Sequence, residues 1–265
     1  MSERLSRIEG SFDSRIIFRP IVPVYDLLNR ILSFGRDQHW RRVLASSTPP
    51  GRVLDLACGT GDVSLALIRE ADRLVVGTDI LPEMLLVAAR KTRRRQVSIP
   101  FVAARAESLS FRSGLFDAAT IAFGIRNFQD RSAALKEIRR VLKNQGELLI
   151  LEFSIPENLL FRNLYLFYFR RVLPWIGRLI SRNSASYSYL PESVLSFPPP
   201  KAFAHHIESL GFRVLSIKPL SLGIVTLYRL KKNFPSKDGT LKDGGAEEPA
   251  SPSGPSRVSL DPIPR

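Results

Sequence analysis

Two glycines and a distant carboxylate are the first residues here whose types and spacing could do chemistry. The stretch Val53-Leu54-Asp55-Leu56-Ala57-Cys58-Gly59-Thr60-Gly61-Asp62 is an apolar run that breaks into Gly-x-Gly. Residues 52–56 read as a buried parallel strand. Glycine then lets the backbone turn sharply and approach a ligand with no Cβ in the way. A helix is expected from near Asp62. A second apolar run, from Leu74 to Thr78, ends at Asp79, 18 residues beyond Gly61. That is close to the spacing of about 20 residues at which an acid grips ribose hydroxyls in nucleotide-binding α/β folds.

A dinucleotide loop wants a third glycine, so that a pyrophosphate can approach the helix N-terminus. Ser64 stands there instead, and Asp62 at the helix start would repel phosphate. The loop therefore fits a nucleoside carrying a positive centre and no phosphate, of which S-adenosylmethionine is the common one. The bland alternative is a glycine turn that only joins strand to helix.

The elements that must hold these residues alternate along the chain. Helices are expected over 63–71 and 82–91, the second with Pro82 in its first turn. Strands are expected at Ile99–Ala103, leading to Ala106-Glu107, and at Phe116–Ala122, which opens into Phe123-Gly124-Ile125-Arg126-Asn127. A helix over Arg131–Leu142 turns at Asn144-Gln145-Gly146 into a fifth strand, Glu147–Phe153. After a helix at Lys201–Leu210, strands at Phe212–Lys218 and Gly223–Leu230 close the sheet, the last antiparallel. This rhythm predicts an α/β fold with a doubly wound, mostly parallel, seven-stranded sheet. Ligands bind at the carboxyl edge of such a sheet. That edge collects Cys58–Asp62, Asp79, Ala106-Glu107, Phe123–Asn127 and Glu152–Ser154.

Other stretches keep two readings. Between Phe18 and Trp40, Ile21, Val24, Leu27, Leu28, Ile31 and Leu32 recur at helical spacing. Pro20 and Pro23 mark the start, Phe34-Gly35 the break, and a short helix Trp40–Leu44 leads to Pro49-Pro50. This segment is either a lid over the cofactor strand or a plain packing helix. Residues 159–180 mix Phe, Tyr and Trp with Arg, which suits an interfacial helix or a greasy tunnel, or else a hydrophobic cap or homodimer face. Residues 183–196 are polar, with Tyr187 and Tyr189. Arg90, Lys91 and Arg93–Arg95 read as a solvated helix end suited to the dipole, or as a lipid or RNA contact. The organisation expected is a lid segment 1–48, a catalytic domain 49–232 with a substrate- and membrane-facing insertion 155–200, and a disordered tail 233–265 with six prolines.

The 265 residues carry a net charge of +14. The tail from residue 233 has four Lys/Arg and five Asp/Glu, leaving the rest at +15, so an anionic surface is a candidate partner. One cysteine rules out an internal disulfide. MSERLSRIEGSF has no apolar leader, and no apolar run reaches the roughly 18 residues of a spanning helix. His39, His205 and His206 make no metal pattern, and no Ser nucleophile elbow is present. The fourth strand ends in Ala-Phe-Gly-Ile-Arg-Asn, not in the Asn/Asp-Pro-Pro-aromatic run typical of amino-group methylation on bases, which argues against a nucleic-acid substrate.

The loop and strand order resemble a class I S-adenosylmethionine-dependent methyltransferase. Four further stretches narrow this: Tyr25-Asp26-Leu27-Leu28-Asn29 with Ser33-Phe34-Gly35 and Trp40; Phe123–Asn127; Leu151-Glu152-Phe153-Ser154; and Ser186–Ser193. Together, from about Phe12 to Leu230, they resemble the menaquinone and ubiquinone biosynthesis C-methyltransferases. The resemblance implies a cofactor set of Asp55, Gly59, Thr60, Gly61, Asp79, Ile80, Arg105, Ala106 and Ala122, with no metal. It departs at Arg105, where the family usually has Asn or Asp, and at Ala122, where it often has Ser.

The resemblance further implies methyl transfer to a ring carbon of a polyprenylated quinol, either demethylmenaquinol or the equivalent ubiquinone precursor. Another small lipophilic acceptor, or a non-catalytic scaffold that binds S-adenosylmethionine, are the competing readings. Arg126 would stabilise a developing phenolate, Asn127 would orient that oxygen and Tyr25 would close over the site. A prenylated substrate lives in the bilayer, so a cytoplasmic protein leaning on the anionic inner face of the membrane is expected, with no nucleic-acid partner; a homodimer is left open.

Overall fold

The computed structural model describes residues 14–70, 72–168, 171 and 185–233, which lie in the compact unit Met1–Phe234. The expectation of a disordered tail falls on residues 234–265, outside the described residues. Helices are numbered α1 Ser14–Phe18, α2 Tyr25–Leu32, α3 Arg36–Ser47, α4 Asp62–Leu67, α5 Pro82–Arg94, α6 Arg131–Val141, α7 Leu159–Phe167, α8 Ala185–Ser196 and α9 Pro200–Ser209. Strands are β1 Gly51–Leu56, β2 Arg73–Asp79, β3 Phe101–Ala103, β4 Phe116–Ala122, β5 Leu142–Phe153, β6 Phe212–Leu220 and β7 Val225–Lys232.

The strands form one seven-stranded sheet in the order β3-β2-β1-β4-β5-β7-β6. β1 through β5 pair in parallel, and β7 is antiparallel to both β5 and β6. The order reverses direction beside β1, which is where a doubly wound sheet opens a crevice for ligands. Central strands are nearly continuous apolar runs because helices cover both faces. Successive side chains then serve opposite cores. Leu54, Ala119, Leu148 and Ile150 pack with α6 and α9 residues such as Leu135, Ile138 and Phe203. Val53, Ala118, Leu149 and Leu151 pack with Trp40, Leu44 and Val63. The edge strand β6 carries Lys218, Pro219 and a register shift between Val214 and Ser216, devices that discourage edge-to-edge pairing.

Several boundaries differ from the sequence reading. The two prolines produce a 3₁₀ stretch at Arg19–Val24, so α2 starts at Tyr25. Gly35 at φ +73° ends the first helical segment, and α3 is longer than the Trp40–Leu44 expected. α4 stops at Leu67, short of residue 71. β5 begins at Leu142 because that residue pairs with Phe116; a register shift absorbs the turn at Asn144–Gly146. Within the polar stretch 183–196, residues 185–196 form α8, with Pro191 inside the helix. No helix among the described residues is long and apolar enough to cross a membrane.

Candidate active site

The glycine bend works as a hinge between β1 and α4. Ala57, Gly59 and Gly61 all have positive φ, and the Cys58 N–H donates to the Thr78 carbonyl at 2.9 Å, tying the bend to β2. A Cβ added to Gly59 would project into open space and meet only the Tyr25 ring, at 3.7 Å. Asp79, at the end of β2, accepts the Gly59 N–H at 2.8 Å and the Leu81 N–H at 2.9 Å. Burial pushes its carboxyl up from the ordinary range, against those backbone bonds.

A cavity opens in front of this bend, lined by Gly59, Asp79, Ile80, Arg105, Ala106 and Ala122 together with Met84, Phe128 and Asn127. Small side chains and backbone face a buried carboxylate, and Glu107 adds a second acid. These carboxylates can accept from ribose hydroxyls, and the small side chains leave room for a base. Three sequence-predicted cofactor residues lie elsewhere. Asp55 is fully buried behind the bend, accepting from Ser64 at 2.6 Å and Thr120 at 2.9 Å, with its carboxyl pushed up to about 6 by burial. The Thr60 hydroxyl turns to Asp26 on α2, at 2.5 Å. Gly61 packs against Ala88. None of the three lines this cavity.

A second, larger cavity of about 620 Å³ lies beside the first. Its wall is mainly apolar and aromatic, from Ile17, Ile21, Leu28, Trp40, Phe153 and Leu190, with Arg36, Asp37, Arg41 and Arg126 as its charged members. Phe18, Tyr25 and Phe123 line both cavities, so the two meet at those three rings. A ring compound in the larger cavity would therefore face whatever nucleoside sits against Asp79.

A model of the ubiE/COQ5 methyltransferase family matches residues 9–232. The chain belongs to that family. It is 47% identical over 216 residues to a protein of Thermus thermophilus named demethylmenaquinone methyltransferase, covering 80% of this chain and 98% of that one. It is 47% identical over 228 residues to a Syntrophotalea carbinolica protein named ubiquinone/menaquinone biosynthesis C-methyltransferase UbiE, covering 84% and 95%. Among solved structures, a SAM-dependent methyltransferase from Aquifex aeolicus superposes with a TM-score of 0.57 at 16% identity, covering 84% of this chain and all of that one. The [4+2]-cyclase SpnF superposes with the same score at 18% identity, covering 74% and 80%. At such identities the likeness is one of fold.

Within this family member, the two residues of the Arg126-Asn127 pair part company. Arg126 lines the larger cavity, Asn127 the smaller. Arg126 donates to Glu152 Oε1 at 2.9 Å, to Ser193 at 3.3 Å and to the Phe123 carbonyl. Glu152 is fully buried, so Arg126 is its counter-charge. Asn127 accepts the Tyr189 hydroxyl at 2.7 Å.

Lys91 corrects the reading of the basic helix end. It points inward, bonding Asp26 at 2.9 Å and Thr60 at 3.2 Å and pairing closely with Asp62. Burial works to raise the Asp62 carboxyl, but Lys91, with Arg41 and Arg30 beyond it, outweighs that and holds it below the usual range. Asp62 is thus a neutralised acid, which weakens the argument that it repels phosphate. Sequence reasoning missed Lys91, Asp37, Arg41 and the Glu152 partnership. Asp26 and Asp37 are acids on otherwise amphipathic helices, and that was the available signal. Among the described residues no three of His, Cys, Asp and Glu gather as a metal site.

Proposed function

We propose that this chain methylates a ring carbon of a polyprenylated quinol, with S-adenosylmethionine as donor. The observation that carries the reading is the meeting of a nucleoside-sized crevice and a large apolar cavity at Phe18, Tyr25 and Phe123. Bound S-adenosylmethionine supplies a methyl group on a positively charged sulfur. Asp79 would hold its ribose, the Gly59 backbone would lie against it, and Ile80, Ala106 and Ala122 would flank its base, with Arg105 at the rim.

The protein's own part is positioning and charge. A quinol carbon is nucleophilic only when its hydroxyl proton is drawn away, so the cavity must orient the ring and favour a developing phenolate. Arg126 is the donor implied by the family motif, Asn127 steadies the shared wall through Tyr189, and Tyr25 closes over both cavities from α2. The segment 1–48 acts as a lid, since α2 and α3 roof the larger cavity. Residues 155–200 act as the substrate-facing insertion.

The rim explains how an oily tail is handled. Phe34, Phe161, Leu164 and Leu222 line the cavity yet are exposed, and Leu159, Leu160 and Phe167 extend the same apolar surface. With a net positive chain, this rim rests on anionic lipid, at roughly 1 kcal/mol per well-placed Lys or Arg, and the prenyl tail passes from bilayer to cavity. Binding to phosphatidylglycerol vesicles should weaken with salt and fall further in a Leu160→Ser/Leu164→Ser variant; equal binding to neutral vesicles breaks this part. The function itself is tested by quinone profiling of a strain lacking the gene. A demethylated quinone should accumulate and vanish on complementation; an unchanged pool rejects the reading.

A further inference from the structure

Three arginines line the larger cavity; Arg36 is exposed, while the two buried ones, Arg41 and Arg126, differ in what remains of their hydrogen-bonding capacity. Arg126 is committed to Glu152, Ser193 and the Phe123 carbonyl. Arg41, on α3, is only 8% exposed, and its Nε has no hydrogen-bond partner among the described residues. The Asp37 carboxylate lies 3.7 Å from that nitrogen, too long for a hydrogen bond. The guanidinium sits 5.3 Å from the centre of the Phe123 ring, the ring common to both cavities.

A buried donor without an acceptor costs about 1–3 kcal/mol, more when charged. The carboxylates that feel the Arg41 charge are Asp37 beside it and Asp55 and Asp62 behind the bend; Arg126, paired with buried Glu152, lines the same cavity. These balance its charge and leave its Nε–H without an acceptor, and the guanidinium borders a mainly apolar cavity. An oxygen brought in by the substrate would supply the acceptor.

Resting on the quinol reading, we propose that Arg41 is a catalytic residue. Its guanidinium binds the ring oxygen beside the carbon to be methylated and holds it as the oxyanion. The hydroxyl proton is released to water. Asp37 is a positioning residue that keeps the fork directed at this oxygen, and Ser33 and Gln38 in turn hold Asp37 at 3.1 Å each. Arg126 also carries the counter-charge of the buried Glu152 carboxylate, at 2.9 Å.

The test uses 1-naphthol, a bicyclic ring with one hydroxyl, bound to the full chain with S-adenosylhomocysteine present, and its ionisation followed by absorbance. The bound probe should ionise about one pH unit or more below free naphthol. Arg41→Met should abolish that shift and Arg41→Lys keep part of it. Asp37→Asn should reduce it by less than Arg41→Met. With quinol substrate, Arg41→Met should lower kcat about 100-fold with a smaller change in KM. Thermal unfolding checks that each variant is folded, and Arg41→Lys keeps the test open if Arg41→Met is not. An unshifted midpoint in bound wild-type chain, or a shift that survives in folded Arg41→Met, overturns the proposal alone. Absence of naphthol binding to wild type overturns the quinol reading and this proposal with it.

Discussion

The crevice at the glycine bend and the cavity under the N-terminal helices are neighbours built by different means. The crevice is made of strand ends and backbone: Gly59 and Leu81 N–H groups fix Asp79, and Ala106 and Ala122 contribute little beyond space. The cavity is made of long side chains from α1, α2, α3, α7 and α8, whose polar members must find one another across the chain, as Arg126 finds Glu152 and Ser193. A backbone site is as stable as its sheet and tolerates change around it. A side-chain site depends on each pair, and losing one partner strands the other.

That contrast can be broken at specific residues. The largest effect expected is on the side-chain half: Arg126→Ala leaves Glu152 buried and unpaired, which should cost about 3–5 kcal/mol in denaturant unfolding. The double variant Arg126→Leu/Glu152→Leu should be less unstable than the single one. If Arg126→Ala unfolds like wild type, the pair is not structural.

Behind the bend, Asp55 has a carboxyl raised to about 6. A raised acid gives up its proton more readily when the chain is unfolded, so its contribution to stability is present at low pH and lost as pH climbs through 4 to 6. Relative to wild type, Asp55→Asn should therefore gain about 3 kcal/mol across that window and level off above it; a pH-independent difference rejects the assignment.

In the crevice, Asp79→Ala should weaken S-adenosylmethionine binding about 100-fold by calorimetry, as expected for loss of charged hydrogen bonds, with the sheet still folded. At the junction of the two halves, Tyr25→Ala should raise both KM values about tenfold, a loss of roughly 1.4 kcal/mol; an effect on one substrate alone would assign Tyr25 to a single cavity.

The same difference governs what could be read from the sequence. β4 runs from Phe116 to Ala122 with both ends as expected, because apolar runs bounded by turns encode buried strands directly. The bend, Asp79 and the parallel sheet follow from the same local pattern. α8 was hidden by Pro191 and a run of Ser and Tyr, which only packing against α1 and the Arg126 turn makes helical. Lys91 looked like its solvent-facing neighbours, and nothing local distinguishes a lysine that turns inward to two acids. Arg41 and Asp37 lie one turn apart on α3, a spacing that on most helices marks an exposed ion pair. Their burial is decided by Phe123 and the α2 segment, far away in sequence.

Thr60 of the bend is bonded to Asp26 of α2, and Lys91 of α5 clasps both. The roof over the oily chamber is thus riveted to the floor of the nucleoside slot. If the N-terminal segment acts as the proposed lid, opening it would undo ties on the bend itself, and release of the spent donor would be coupled to entry of the next acceptor. Variants that loosen those rivets should leak donor and speed acceptor exchange together, trading retention for throughput.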